Sequence, residues 1–204
     1  MRSIDDLKTE DVVKFQSTRK DWKGEWLTPD GIVGPKTIWA WQIAQLEPWR
    51  QDVVARACSR VGIREFFDNA GTEIEEWQKR AGAKRGDPWC ACFASWCISV
   101  AGLPDVRMAG AQALGKSLYV AADPLPGDVL WFPTGSWQGH CGIVIASAGA
   151  ETASVEGNLD NQVGITRRRK DSCRYGCPKR PDPLPFVSIP PGLQFKETRI
   201  VGTR

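Results

Sequence analysis

Pro126-Gly127-Asp128-Val129-Leu130-Trp131-Phe132 is where the chain changes period. A turn signal leads into a short apolar run rich in β-formers, so residues 127–132 read as a strand. Upstream, apolar residues recur at the three-and-four spacing of helices; downstream they fall into runs of strand length. His140 to Ala146, Thr152 to Glu156 and Val163 to Arg168 read as three further strands. Helices first and antiparallel strands after predict an α+β domain with helices packed on one face of a sheet.

Working back from that point, Gly86-Asp87-Pro88 sets up a helix that carries Cys90. Asp87 is the expected N-cap and Pro88 the first helical residue. A helix from about Glu73 to Arg80 stops before Gly82. Another over 49–61 shows Val53, Val54, Ala57, Cys58 and Val61 on one face and ends at Gly62-Ile63. Glu47-Pro48-Trp49 marks a boundary, so 1–47 reads as a small all-α domain, 48–180 as the main domain and 181–204 as a proline-rich tail packed on it. Within the first unit, Val12, Val13 and Phe15-Gln16 suggest one helix. Lys36-Thr37 opens a second that carries Ile38, Trp39, Trp41 and Ile43. Gly31 and Gly34 suit a tight intervening loop with positive φ. No internal repeat is evident.

With 204 residues and 42% of them hydrophobic, the chain can build a proper core. No apolar run approaches the roughly 18–20 residues of a membrane span. Met1-Arg2-Ser3-Ile4-Asp5-Asp6 carries acids where a signal peptide is apolar, so the expectation is a soluble protein made in the cytoplasm without membrane insertion. Of the ten tryptophans, Trp39, Trp41, Trp89, Trp96 and Trp131 fall on periodic faces and are expected in the core.

The net charge of +3 is unevenly spread: residues 1–47 hold seven Lys/Arg against eight Asp/Glu. The densest basic run is Arg167-Arg168-Arg169-Lys170, followed by Arg174, Lys179 and Arg180. It suits either an anionic polymer, such as nucleic acid or bacterial wall, or a solvated strand edge kept from aggregating. No nucleic-acid-binding motif accompanies it, so no nucleic-acid partner is expected.

Seven cysteines are an odd number. A structural zinc site is one alternative for Cys90, Cys92 and Cys97 (C-x-C-x4-C) with Cys173 and Cys177 (C-x3-C), but these are not the spacings of a standard zinc knuckle pair. Most are expected to be buried free thiols, with no metal and no cofactor. Cys90 stands apart because the first turn of a helix presents free N–H groups and the positive end of the dipole, which favour a thiolate. Cys92 points about 200° away round the helix, and Cys97 lies two turns in. The only histidine, His140, heads Gly139-His140-Cys141-Gly142-Ile143-Val144-Ile145, where small neighbours leave room for the ring. Imidazole titrates near neutral pH without help, so His140 is the natural base. Glu156 and Asn158, in Val155-Glu156-Gly157-Asn158, are two candidates to orient it, with Asn158 also suited to a plain turn.

Two resemblances follow from these motifs. Asp30-Gly31-Ile32-Val33-Gly34-Pro35-Lys36-Thr37, with Trp41-Gln42, resembles the D-G-x-x-G-x-x-T signature of the peptidoglycan-binding helical domain. That resemblance makes Asp30, Gly31, Gly34 and Thr37 candidate wall-binding residues; the alternative is a helical pair that props up the main domain. Over about residues 49–180, four motifs resemble the CHAP family of cysteine, histidine-dependent amidohydrolases and peptidases. They are Pro88-Trp89-Cys90-Ala91-x-Phe93-x-Ser95-Trp96-Cys97, Gly127-Asp128-Val129, Gly139-His140-x-Gly142-Ile143-Val144 and Glu156-Gly157-Asn158.

Gly62-Ile63-Arg64-Glu65 and Asn158-x-x-Asn161-Gln162-Val163 are similar to the bacterial and phage members. The resemblance implies a papain-like α+β fold, with Cys90 as nucleophile, His140 as general base and then acid, Glu156 as orienting carboxylate and Asn158 as auxiliary polar group. Some members carry asparagine where Glu156 stands, which leaves the division between Glu156 and Asn158 open. Trp89 is the candidate substrate contact beside the nucleophile. Some relatives bind calcium near the nucleophile, but no aspartate-rich loop precedes Cys90 here. The implied partner is bacterial peptidoglycan, attacked by a monomeric phage endolysin released through a holin. A catalytically silent wall-binding module and an antibacterial amidase effector are the alternatives.

Overall fold

The computed structural model describes residues 3–100 and 102–179; Arg180 and the expected tail at 181–204 lie outside the described residues. Six α-helices occur among them: α1 (Thr9–Gln16), α2 (Pro35–Ala44), α3 (Pro48–Cys58), α4 (Thr72–Ala81), α5 (Cys90–Ile98) and α6 (Ala111–Ser117). Six strands follow: β1 (Tyr119–Val120), β2 (Val129–Pro133), β3 (Gly139–Ala148), β4 (Glu151–Glu156), β5 (Gly164–Arg169) and β6 (Arg174–Cys177). They form one antiparallel sheet in the order β1-β6-β2-β3-β4-β5. The α+β class and the four long strands follow the sequence reading, with small shifts at the ends.

Helix ends follow local chemistry. Pro48 and Pro35 begin α3 and α2, where a missing N–H costs nothing. Gly82 ends α4 in the left-handed conformation that favours glycine. Gly31 has φ +74° as expected, but Gly34 has φ −97° and serves as the extended N-cap of α2. Asp87 does not cap α5. Its carboxylate accepts from the Lys84 N–H within the preceding turn, and Trp89 becomes the N-cap residue, so Cys90 is the first helical residue.

Three elements escape the sequence reading. α6 is short, contains Gly115 and has no side-chain cap. It forms because it packs on β2, where Gly115 lies so close to Trp131 that a Cβ would come within 2.3 Å of the ring. β1 and β6 pair only with strands distant in sequence, and β6 inserts between β1 and β2.

One hydrophobic core runs from Trp22, Leu27 and Trp39 through Trp49 and Trp89 to β2, β3 and β4. Trp39 donates from Nε1 to the Ile145 carbonyl at 2.9 Å, which ties α2 to β3. Along β3, residues of both alternating sets are buried, so both faces of the sheet centre are covered rather than one. Trp39, Trp89 and Trp131 are core as expected. Trp41, which packs edge-on against Phe15, and Trp96, at the edge of the Trp77–Phe93 cluster, are only half-buried. No described helix is long and apolar enough to cross a membrane.

Three of the four residues of the basic run have acidic partners. Arg167 pairs with Glu151, Arg169 with Asp171, and Arg168 turns inward. The strand-edge reading therefore describes Arg167 and Arg169 better than a free cationic face does.

Candidate active site

Antiparallel register assembles the site. Phe132 pairs with His140 and Gly142 with Glu156, so His140 and Glu156 lie diagonally on adjacent strands. Glycine at 142 is what lets them meet: a Cβ there would come within 2.4 Å of Glu156 Cγ. His140 Nε2 lies 2.9 Å from Glu156 Oε2, which leaves Nδ1 for the Cys90 thiol that the ring also contacts. α5 packs on β3 and brings Cys90 to the start of that strand, with Sγ 3.9 Å from the Gly139 carbonyl. Cys90 is 6% exposed, His140 5% and Glu156 0%.

Glu156 is saturated with donors. Oε1 accepts from Ser154 Oγ at 2.7 Å and Arg168 Nε at 2.6 Å; Oε2 accepts from Arg168 Nη2 at 2.5 Å as well as facing His140. Burial alone would raise this carboxyl, but Arg168 and then His140 overrule it and hold it at about 2. Burial likewise opposes a charged imidazole, yet the Cys90 and Glu156 anions push His140 up to about 10. The Cys90 thiol is held well below the ordinary thiol range: a hydrogen bond from Cys141 and the charge of His140 outweigh burial. Cys141 is correspondingly pushed well up, and burial raises Cys92 to about 12, so neither competes as a thiolate.

These directions describe a thiolate–imidazolium pair oriented by a carboxylate. Cys90 also begins α5, where the first N–H groups of a helix have no intrahelical acceptor and can face a developing oxyanion. Alkylation of Cys90, followed as the modified peptide by mass spectrometry, should therefore keep its rate well below the thiol range of about 8.5. His140→Ala should move that dependence up toward the ordinary thiol value. Coincident pH profiles for the two proteins would contradict the ion pair.

Asn158 is placed elsewhere. With φ +54° it sits in the β4–β5 turn, and its Nδ2 donates to Asn69 Oδ1 at 2.8 Å. It thereby tethers the 64–71 loop, which Glu65 also binds by accepting from Trp89 Nε1 at 2.7 Å. Trp89, expected to meet substrate, is instead wholly buried against Trp77, because its ring fills the core under α5. Exposed aromatics include Phe66 and Phe67 on the tethered loop and Trp137, three residues before His140 in the chain, none of them expected as site residues from sequence. In the N-terminal unit, Asp30 and Thr37 converge on buried Gln16, whose Nε2 donates to Asp30 Oδ1 and Thr37 Oγ1 while its Oε1 accepts from the Gly31 N–H. Gly34 only begins α2, so these four residues shape the loop that joins α1 to α2.

A buried cysteine at a helix start, facing an imidazole held by a carboxylate on the neighbouring strand, is an arrangement able to support acyl transfer through a thiol. Residues 82–158 match the family model of the CHAP domain, and the match contains Cys90, His140, Glu156 and Asn158. CHAP domains are typically cysteine- and histidine-dependent amidohydrolases or peptidases, with peptidoglycan as substrate. Neither curated proteins nor solved structures gave a match to the chain.

Arg168 and Ser154 are the members of the site that sequence reasoning missed. Period-two alternation was the available signal, since it puts Arg168 on the face of buried Thr166, opposite to Arg167 and Arg169.

Proposed function

We propose that the protein is a peptidoglycan hydrolase that cleaves an amide bond of the bacterial wall through Cys90, His140 and Glu156. The observation that carries this reading is the Cys90–His140–Glu156 chain lying within the stretch that matches a CHAP domain. The Cys90 thiolate attacks the amide carbonyl, and the oxyanion forms against N–H groups at the start of α5. His140 gives its proton to the leaving amine. Water then attacks the thioester with the neutral imidazole as base, and the thiolate leaves beside the re-formed imidazolium. Glu156 keeps one ring nitrogen engaged so that the other faces sulfur throughout. Nucleophile, base and orienting group all come from the chain, so the scheme uses no cofactor. Phe66, Phe67 and Trp137 supply exposed rings suited to packing against sugar and peptide faces of a wall strand.

An endolysin acting as a monomer on the wall, delivered from the cytoplasm through a holin, is the biological setting we favour. Its support is the resemblance of the motifs to phage and bacterial members. Residues 1–47 fit a wall-binding role by their D-G-x-x-G-x-x-T pattern, with Asn158 an auxiliary group that fixes the rim of the cleft. Digestion of purified wall followed by mass spectrometry of the fragments tests the reaction. A new N-terminal alanine marks cleavage next to the lactyl group, and a new amine within the stem or cross-bridge marks an endopeptidase. Release of reducing sugar without any new amine would refute amide cleavage.

A further inference from the structure

We infer that Arg168 is a positioning residue of this site: its bidentate grip on Glu156 fixes the carboxylate toward His140 and completes the charge balance of the buried cluster. The inference rests on the thiolate–imidazolium reading above.

The geometry is that of a clamp. Arg168 presents Nε and Nη2 to the two oxygens of Glu156 at 2.6 and 2.5 Å, the fork-to-fork arrangement that sets both position and plane of a carboxylate. The guanidinium also lies over the Phe132 ring at 4.7 Å, and that ring packs against His140 with centroids 5.6 Å apart. Arg168 thus braces the imidazole by two routes, through the carboxylate and through the phenyl ring. Its side chain is only 11% exposed, although its sequence neighbours Arg167 and Arg169 face outward.

The charge count shows why such a group is needed. A working site holds a Cys90 thiolate, a His140 imidazolium and a Glu156 carboxylate, which sum to one buried negative charge. Burying an unbalanced charge is costly, and the cheapest relief is uptake of a proton. Without a further cation, the cluster reaches neutrality when Cys90 takes up a proton, which leaves a thiol beside the His140–Glu156 pair. Arg168 brings the sum to zero with the thiolate in place. The other titratable groups packed around the cluster are the Cys92, Cys141 and Cys173 thiols and the Tyr175 hydroxyl. Burial, or for Cys141 its hydrogen bond to Cys90, pushes all four up, so they stay neutral across the working range.

The test compares wild type, Arg168→Met and Arg168→Lys, using wall turnover and the pH dependence of Cys90 alkylation. Methionine keeps apolar length and removes charge and fork. Its kcat should fall about 10–100-fold, the scale for losing an outer-shell partner, with KM nearly unchanged. The acid limb of alkylation should move up by about one pH unit or more. Lysine restores charge without the fork, so the limb should return toward wild type while kcat stays reduced. An Arg168→Met protein that alkylates and turns over like wild type would overturn the role of Arg168. If Arg168→Met melts below the assay temperature, Arg168→Lys decides through kcat: a drop of about tenfold supports positioning and a wild-type value refutes it. A wild-type Cys90 that alkylates only in the ordinary thiol range would instead defeat the ion-pair reading itself.

Discussion

Cys90→Ser and His140→Ala should each lower wall turnover by about 10⁴-fold or more, and the double variant should be no worse than either alone. Nucleophile and base act as one unit, so removing the first leaves the second nothing to do. Serine at 90 is close to isosteric, but it lacks a group that ionises beside this imidazole, so attack on the carbonyl fails. Histidine matters more here than in most proteins because the chain has no other. The fold should survive both changes. Removing His140 leaves Glu156 paired with Arg168 through two hydrogen bonds, so no buried carboxylate is stranded. Amines released from purified wall give turnover, and circular dichroism with thermal melting gives the fold. A His140→Ala protein that is folded and retains a tenth of wild-type turnover would exclude the proposed base.

How much of this was legible follows from which forces act locally. The period change at Pro126 gave the fold class because side-chain alternation is written into neighbouring residues. Turn and proline signals place Cys90 at a helix start, although the capping residue is Trp89 rather than Asp87. Asp87 was the stronger cap by type, but its carboxylate was spent on Lys84 in the turn before. Glu156 was visible as one of two candidates, and only strand register separated it from Asn158. Two residues on, the chain has left the strand and turned with positive φ.

What stayed hidden depends on distant partners. β6 exists because β1 and β2 flank it, and α6 because Trp131 accepts the flat surface of Gly115. Its place next to Cys90 suggests a substrate role for Trp89, whereas the side chain of an N-cap residue can point straight into the core. By sequence alone Arg168 is one of four like charges. In a strand, the residue between two solvent-facing arginines faces the other way, and there a buried carboxylate was waiting.

The other large effect concerns the framework that holds β2, and it turns on a buried ion pair. Arg50 on α3 is 2% exposed and Asp128 1%. Arg50 Nη1 donates to Asp128 Oδ1 at 2.8 Å and to the Pro126 carbonyl at 2.9 Å, and Asp128 Oδ2 accepts from the Leu125 N–H. Gly127, with φ +92°, lies so close to Arg50 that a Cβ would come within 3.2 Å of its Cα. The Gly127-Asp128 pair therefore seats α3 against the turn from which β2 starts, and β2 carries Phe132 to the His140 ring. Asp128→Leu should destabilise the protein by about 3 kcal/mol, the lower end for breaking a buried pair, since Glu47 remains 3.9 Å from Arg50 Nε. For a chain of this size that is roughly 6–12 °C in Tm. Burial raises the Asp128 carboxyl against the pull of Arg50, so the charged pair does not itself add stability at neutral pH. Its carboxyl binds protons more readily folded than unfolded, and this contribution favours folding as pH falls. Arg50→Met with Asp128→Leu should consequently recover at least half of the loss, because no lone charge remains buried. The cycle subtracts the orphaned Leu125 N–H, which both variants share. A double variant as unstable as Asp128→Leu would mean that the pair contributes stability outright, and that burial does not outweigh it.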